Sequence, residues 1–323
     1  MKSLKKLGAL VLTAVMSAGM LAAVPASAAD VKIGYINLAD TDVFCMSRRD
    51  EFKKAAEAEG WSVEAVDGNN DPQKQIDQTN TFIAKGVDVI VCVPCDAKGI
   101  VPAVQAANNA GVPIILFGNG AEGAEGLDDT FIGSPHTESG RMEGAYFAEI
   151  MPENAKICYL AGTAGLDHAA MRRDGMKEAF ADAGRDDIEI LDDQDGDYVK
   201  DEGMRITQAW IQKYGNGSGV DFNGIIAAND QMALGAMEAL KGAGIECGMG
   251  DGKVAIAGID GTAEALQAVK DGQMVQTVLQ DAPGQGAAAV EAIKVYLNGE
   301  KPEAEILVPY VSVTAENVDD YLG

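Results

Sequence analysis

Two apolar runs in the second half of the chain end in polar residues placed to grip a ligand. Residues 225–236 read IIAANDQMALGA. The apolar part has the composition of a buried parallel strand, and a small-residue helix pattern begins directly after it. Asp230 is placed to cap that helix. This leaves Asn229 at the carboxyl edge of the strand, where open α/β sheets bind ligands. The pattern repeats at residues 254–262, VAIAGIDGT, with Asp260 at the corresponding edge. Near the start of the chain Asp42-Val-Phe44 follows the first apolar run. A carboxylate suits hydroxyl groups and an aromatic ring suits the C–H face of a sugar. Arg172 and Gln280, also at strand ends or the turns after them, extend the same hydrogen-bonding chemistry.

Other motifs point to different chemistry and lack the context it needs. Gly118-Asn-Gly-Ala-Glu-Gly123 matches a dinucleotide fingerprint in its letters. No helix pattern follows, so there is no helix N-terminus to hold a pyrophosphate. It reads as a flexible loop over a crevice, with Asn119 available to a ligand. Asp193-Gln-Asp-Gly-Asp197 begins like a calcium loop, but positions six and twelve are Tyr198 and Met204 instead of glycine and glutamate. These acids read as a solvated stretch between elements. His136 and His168 lack metal-ligand spacing. Cys92-Val-Pro-Cys95 has redox spacing but does not open a helix, and Cys92 ends an apolar strand pattern, where cysteine packs as a small hydrophobe. With Cys45, Cys158 and Cys247 the count is odd, so at least one thiol is unpaired. A Cys45–Cys95 bridge is open. No metal, nucleotide or other cofactor is expected, and neither histidine has an evident catalytic partner.

The first 28 residues have the form of an export signal. Lys2, Lys5 and Lys6 precede an apolar stretch over residues 7–24, and Ala26-Ser27-Ala28 offers a cleavage site. Residue 29 is Ala, so no lipid-anchoring cysteine follows. A mature, exported, soluble chain from Ala29 is expected. It would carry 22 basic against 50 acidic residues, a formal charge of −28. Such a surface repels phosphate backbones and anionic lipid, which argues against nucleic acid as a partner.

The elements that must position these residues alternate along the chain. Strand patterns fall at residues 32–37, 62–66, 87–93 and 112–117, with helix patterns at 48–59, 71–85 and 100–110 between them. Asp71-Pro72 starts the second helix and Gly86 closes it. A short strand at 130–133 interrupts the series. A second series follows, with helices at 137–150, 169–183, 200–213 and 284–297 and strands at 156–160, 188–191 and 277–280 besides the two runs above. The interruption favours two doubly wound α/β units over one closed barrel, and the mature length of 295 residues suits two lobes.

These residues together resemble the periplasmic sugar-binding proteins of the ribose-binding type, along nearly the whole mature chain. The resemblance rests on ANDQMALGA at 228–236, GIDGT at 258–262, NNDPQKQ at 69–75, GVDVIV at 86–91, NAGVPI at 109–114 and LAGT at 160–163. It implies two parallel-sheet lobes joined by a three-segment hinge, residues 29–134 with 281–309 and residues 135–280 with 310–323. Between them a monomer would close on a small neutral sugar or polyol and deliver it to an ABC permease in the inner membrane, or present it to a chemoreceptor. Asp42 and Phe44 match the family's first sugar-contacting loop, Tyr198 an aromatic that packs on the ligand, and Asn229, Asp260 and Gln280 hydrogen-bonding positions. Arg172 matches a lobe-two arginine within a residue or two. The family's Asp-Arg after the fourth strand is replaced by Gly118-Asn119, its second phenylalanine in the first loop by Cys45, and an asparagine before Pro94 by Val93. The lobe-one face is therefore expected to be less polar and to lack a cation. A sugar-responsive repressor would carry DNA-binding helices where the export signal stands. An exported enzyme would need a nucleophile–base pair.

Overall fold

The computed structural model describes residues 31–124, 126–127, 130–164, 166–217 and 219–322. The expected export signal and its cleavage point lie outside the described residues. Two six-stranded sheets organise the chain. The first has the order β11-β5-β4-β3-β1-β2, built from β1 (Lys32–Asn37), β2 (Ser62–Asp67), β3 (Val89–Cys92), β4 (Ile114–Phe117), β5 (Thr130–Gly133) and β11 (Glu305–Leu307). Every pairing in it is parallel. The second has the order β12-β10-β9-β8-β6-β7, from β6 (Lys156–Ala161), β7 (Glu189–Asp195), β8 (Gly224–Ala227), β9 (Ala255–Asp260), β10 (Gln276–Gln280) and β12 (Tyr310–Thr314). It is parallel except for β12, which runs antiparallel to β10. Helices cover the faces of each sheet, which is why central strands such as β3, β4 and β8 are buried at every residue.

The two α/β lobes follow from these sheets. The chain passes between them after β5, after β10 and again between β11 and β12. The helix α9 (Ala282–Leu297) returns to pack beside α1 (Val43–Ala58) on the first sheet, with Phe52 of α1 closely packed against Gly286 of α9. Local chemistry sets most helix ends as expected. In α2 (Pro72–Lys85) the Asp71 carboxylate accepts from the backbone N–H groups of Gln73 and Lys74, and Gly86 ends the helix with φ of 69°.

Four elements depart from the sequence expectation. Helix α1 starts at Val43, five residues before the expected start, because Asp42 caps it by accepting from Cys45 N at 2.7 Å. Phe44, Cys45 and Arg48 therefore sit on its first turns. Strand β7 runs on through Asp195, so most of the acidic run is part of an edge strand that has no buried residue. The pair β11 and β12 has no counterpart among the expected strands; both are short, and in β12 only Tyr310 and Val313 are buried. All five cysteines are free, so the open Cys45–Cys95 bridge does not form. Burial pushes the thiols of Cys95 and Cys247 up to about 11 and that of Cys158 to about 12, which makes them packing residues and poor nucleophiles.

Candidate functional site

A cavity of about 640 Å³ lies between the lobes, against the carboxyl ends of both sheets. Asp42, Phe44, Asn119, Arg172, Tyr198, Asn229, Asp260 and Gln280 all line it. The sequence places these eight at strand ends or in the turns after them, and the fold brings them to one cleft.

Asp260 ends β9 and is buried, with φ of 133°. A non-glycine residue in this conformation is strained, and such strain persists where surrounding structure fixes it, commonly at binding sites. Burial pushes its carboxyl well above the usual carboxylate range, against the opposing pull of Arg172. Arg172, on α5 (Asp167–Asp182), is 4% exposed. It donates to the Ala228 carbonyl, to Gln280 Oε1 at 3.5 Å and to the Tyr310 hydroxyl at 3.3 Å. The neighbouring Arg173 pairs instead with Asp193 and Asp195 on the outer face, so Arg172 is the arginine of the cleft.

Tyr198 and the preceding Asp197 both adopt left-handed backbone, with φ of 62° and 53°. This turn lays the ring parallel to His168, 5.2 Å between centroids and 18° between planes. The ring occupies the space where a side chain on residue 162 would project, and a Cβ on Gly162 would overlap it. On the other lobe Phe44 presents its ring to the same cavity.

The capping task expected of Asp230 falls to Asn229. Asn229 is the N-cap of α7 (Asp230–Gly242): its Oδ1 accepts from Met232 N at 3.0 Å, and its Nδ2 donates to the Tyr198 carbonyl at 3.2 Å. Asp230 is wholly buried, and its carboxylate accepts from Thr262 N, Thr262 Oγ1 and Thr277 Oγ1 at 2.7–3.0 Å. It clamps three segments of the second lobe together. Burial raises its carboxyl to about 6 even with these bonds. Asn119 is also more constrained than its loop suggests, since its Nδ2 donates to the Pro94 carbonyl at 2.7 Å.

Three cleft residues escape the sequence reading. The first is Arg48, one helical turn after Phe44 and 3% exposed. Its guanidinium lies 5.4 Å from the Phe44 ring centroid and 5.0 Å from that of Phe117. The first lobe therefore does present a cation to the cleft, contrary to the expectation drawn from Gly118-Asn119. The i, i+4 spacing of Phe44 and Arg48 was the available signal. The other two are the histidines, which also line the cleft. His136, at the start of α4 (His136–Ile150), lies 3.0 Å from the Gly118 carbonyl through Nε2 and 2.9 Å from the Tyr310 hydroxyl through Nδ1. A carbonyl only accepts, so Nε2 carries the proton and Nδ1 accepts from Tyr310. Burial, with help from Arg172, lowers the His136 imidazole to about 3. His168 is likewise held neutral by burial and the neighbouring His136. A directed chain thus runs from Arg172 through Tyr310 and His136 to Gly118, from the second lobe to the first.

This arrangement can hold a small polyhydroxylated molecule: carboxyl and amide groups for hydroxyls, guanidinium donors from both sides, and rings for C–H faces. The comparisons agree with that geometry. The chain is 32% identical to the ribose import binding protein of Haemophilus influenzae over 305 residues, covering 94% of this chain and 98% of that protein. It is 30% identical to a putative rhizopine-binding protein of Rhizobium meliloti, covering 82% and 84% of the two chains. Among solved structures, a galactofuranose-binding protein superposes with a TM-score of 0.83 at 25% identity, over 90% of this chain and 97% of that one. An ABC transporter solute-binding protein from Bacillus halodurans, with bound myo-inositol, gives 0.81 at 31% identity over 92% and 99%. The family described as the periplasmic binding protein domain matches residues 33–301. Two doubly wound lobes, a polar cleft at their carboxyl edges and a family match over most of the length have one explanation: the chain belongs to the periplasmic binding protein family.

Proposed function

We propose that this protein is the solute-binding component of an ABC transporter and that it binds a small sugar or polyol by closing its lobes. The observation that carries the reading is the convergence on one cleft of Asp42, Phe44 and Asn119 from the first lobe with Arg172, Tyr198, Asn229, Asp260 and Gln280 from the second. These are ligand-binding residues in this reading. The lobes comprise residues 29–134 with 281–309 and residues 135–280 with 310–323, and the three segments between them form the hinge. The mature chain starts at Ala29, is exported to the periplasm as a monomer, and hands its ligand to a membrane permease. The same closed form could be read by a chemoreceptor.

The protein acts by binding and performs no chemistry. Both nitrogens of His136 are engaged, by a backbone carbonyl and a tyrosine hydroxyl, so it is not free to serve as a general base. The Cys45 thiol is pushed well up by burial and its sulfur faces Arg48 at 3.6 Å. Relatives with named ligands include a xylitol-binding protein and a solute-binding protein with bound D-allose, which sets the range to search. A thermal-shift screen over D-ribose, D-allose, xylitol and myo-inositol tests the reading. Ligand at about a hundred times its Kd should add about 2.7 kcal/mol of stability. Absence of a shift with every compound would count against it.

A further inference from the structure

We infer that Arg48 is a ligand-contacting, specificity-determining residue of the first lobe, and that Gly118 is what permits it to occupy that position. The inference rests on the binding function proposed above and concerns how the cleft selects its ligand. Arg48 is almost completely buried yet pairs with no carboxylate among the described residues. Within the described structure its guanidinium donates to the Cys45 sulfur at 3.6 Å and lies by the Tyr35 hydroxyl, and its Nε is buried without a partner. A guanidinium has five donors and no acceptor. Held out of water with only a weak sulfur acceptor and one tyrosine hydroxyl for its five donors, it is costly unless something else supplies oxygen. It lines the cavity, so the bound molecule is placed to supply it.

The surroundings are shaped to present this group. Tyr35, Phe52 and Phe117 form a packed aromatic cluster beneath it, with ring centroids 5.5–6.3 Å apart. The guanidinium lies over the Phe117 ring, with Phe44 on another side. Rings on two sides leave the guanidinium edge to face the cleft. The loop leaving β4 supplies the remaining space. Gly118 there has φ of +83°, and a Cβ added to it would overlap Nη1 of Arg48 and approach Cζ and Nη2. Glycine at 118 and arginine at 48 are thus one structural device. The cation enters from the first turns of α1, and the position after β4 gives up its side chain to admit it.

The consequence is chemical. Arg48 offers only donors, so the ligand surface toward the first lobe must carry oxygen acceptors, and an ammonium group there would be repelled. Arg172 makes the equivalent demand from the second lobe. The carboxyl groups of Asp42 and Asp260, with the cleft amides, are left to read the hydroxyl hydrogens.

The test is calorimetric titration with whichever of D-ribose, D-allose, xylitol and myo-inositol binds the wild-type protein most tightly. Arg48→Met should weaken binding by about tenfold or more, the loss of a charge-assisted hydrogen bond. Arg48→Lys should fall between the two, because it keeps the charge and loses the planar fork. The empty Arg48→Met protein should melt no lower than wild type, since a buried unpaired cation has been removed. Gly118→Ala should weaken binding through Arg48, so the double variant should bind within about threefold of Arg48→Met alone. If Arg48→Met binds as wild type does, or if the Gly118→Ala loss adds in full to it, the inference is wrong. Asp260→Ala separates this from the parent reading. Loss of binding there with none at Arg48 overturns the role of Arg48 and leaves the cleft standing; a wild-type protein that binds none of the four overturns both.

Discussion

Nε2 of His136 lies 3.0 Å from the carbonyl oxygen of Gly118, and this bond ties the first turn of α4 in the second lobe to the loop leaving β4 in the first. The groups facing His136 are Arg172 from α5, Arg48 from α1, Tyr310 from β12 and the His168 ring at 5.3 Å. Two cations and no carboxylate among these leave nothing to favour a charged imidazole.

Stability should accordingly fall with pH in a defined window. The unfolded chain takes up a proton on His136 near pH 6.5, and the folded chain resists until about 3. Below about 6.5 the unfolded state gains protons that the folded state does not, so this histidine destabilises increasingly as pH drops. The limit is about 1.4 kcal/mol per pH unit. Asp230 works in the opposite sense, because its folded value of about 6 lies above the unfolded one and favours the folded state as pH falls through that range. His136→Gln removes the first effect and keeps an amide donor for Gly118. Denaturant unfolding at pH 7.5 and 4.5 should show a smaller loss for the variant than for wild type. Equal losses would mean that His136 titrates normally in the fold.

Asp230 and Asp260 are both buried aspartates with raised carboxyls and should behave in opposite ways. Asp230→Ala orphans three donors, from Thr262 and Thr277, each costing about 1–3 kcal/mol. Its melting temperature should drop sharply while the affinity of the folded protein changes little. Asp260→Gly removes a strained residue at φ of 133° and should not melt lower than wild type, yet should bind about ten to a hundredfold more weakly. Paired melting and titration data decide it; a reversed pattern would exchange the two roles.

Gly162→Ala should weaken ligand binding by displacing Tyr198. The added methyl would overlap the ring, which is held against His168. If the effect acts through the ring alone, a Tyr198→Ala background should abolish it. Additive losses in the titrated affinities would show that Gly162 matters for another reason.

Much of this was legible in the sequence because local signals and the fold agree. Apolar runs ending in Asn229 and Asp260 gave both the strands and the rim residues, and Asp71-Pro72 with Gly86 gave α2 its ends. That Asn229 and not Asp230 caps α7 was not legible, since either side chain can cap a helix and only the position of Thr262 and Thr277 selects which does. The partners of His136 lie 18 and 174 residues away in sequence. Arg48 was hidden because the start of α1 was placed too late, leaving it outside the cleft. Gly118-Asn119 in place of Asp-Arg was read as a lost cation, when Gly118 makes room for one.

The most direct test of the account is a calorimetric titration of wild-type protein and Asp260→Ala with D-ribose, D-allose, xylitol and myo-inositol, alongside the melting temperature of each empty protein. The account predicts one-to-one binding of at least one of these by wild type. It also predicts a loss of about tenfold to a hundredfold in Asp260→Ala, equivalent to the roughly 1.5–3 kcal/mol of a charge-assisted hydrogen bond, with no loss of thermal stability. Undiminished binding by Asp260→Ala, or no binding of any of the four by wild type, would contradict it.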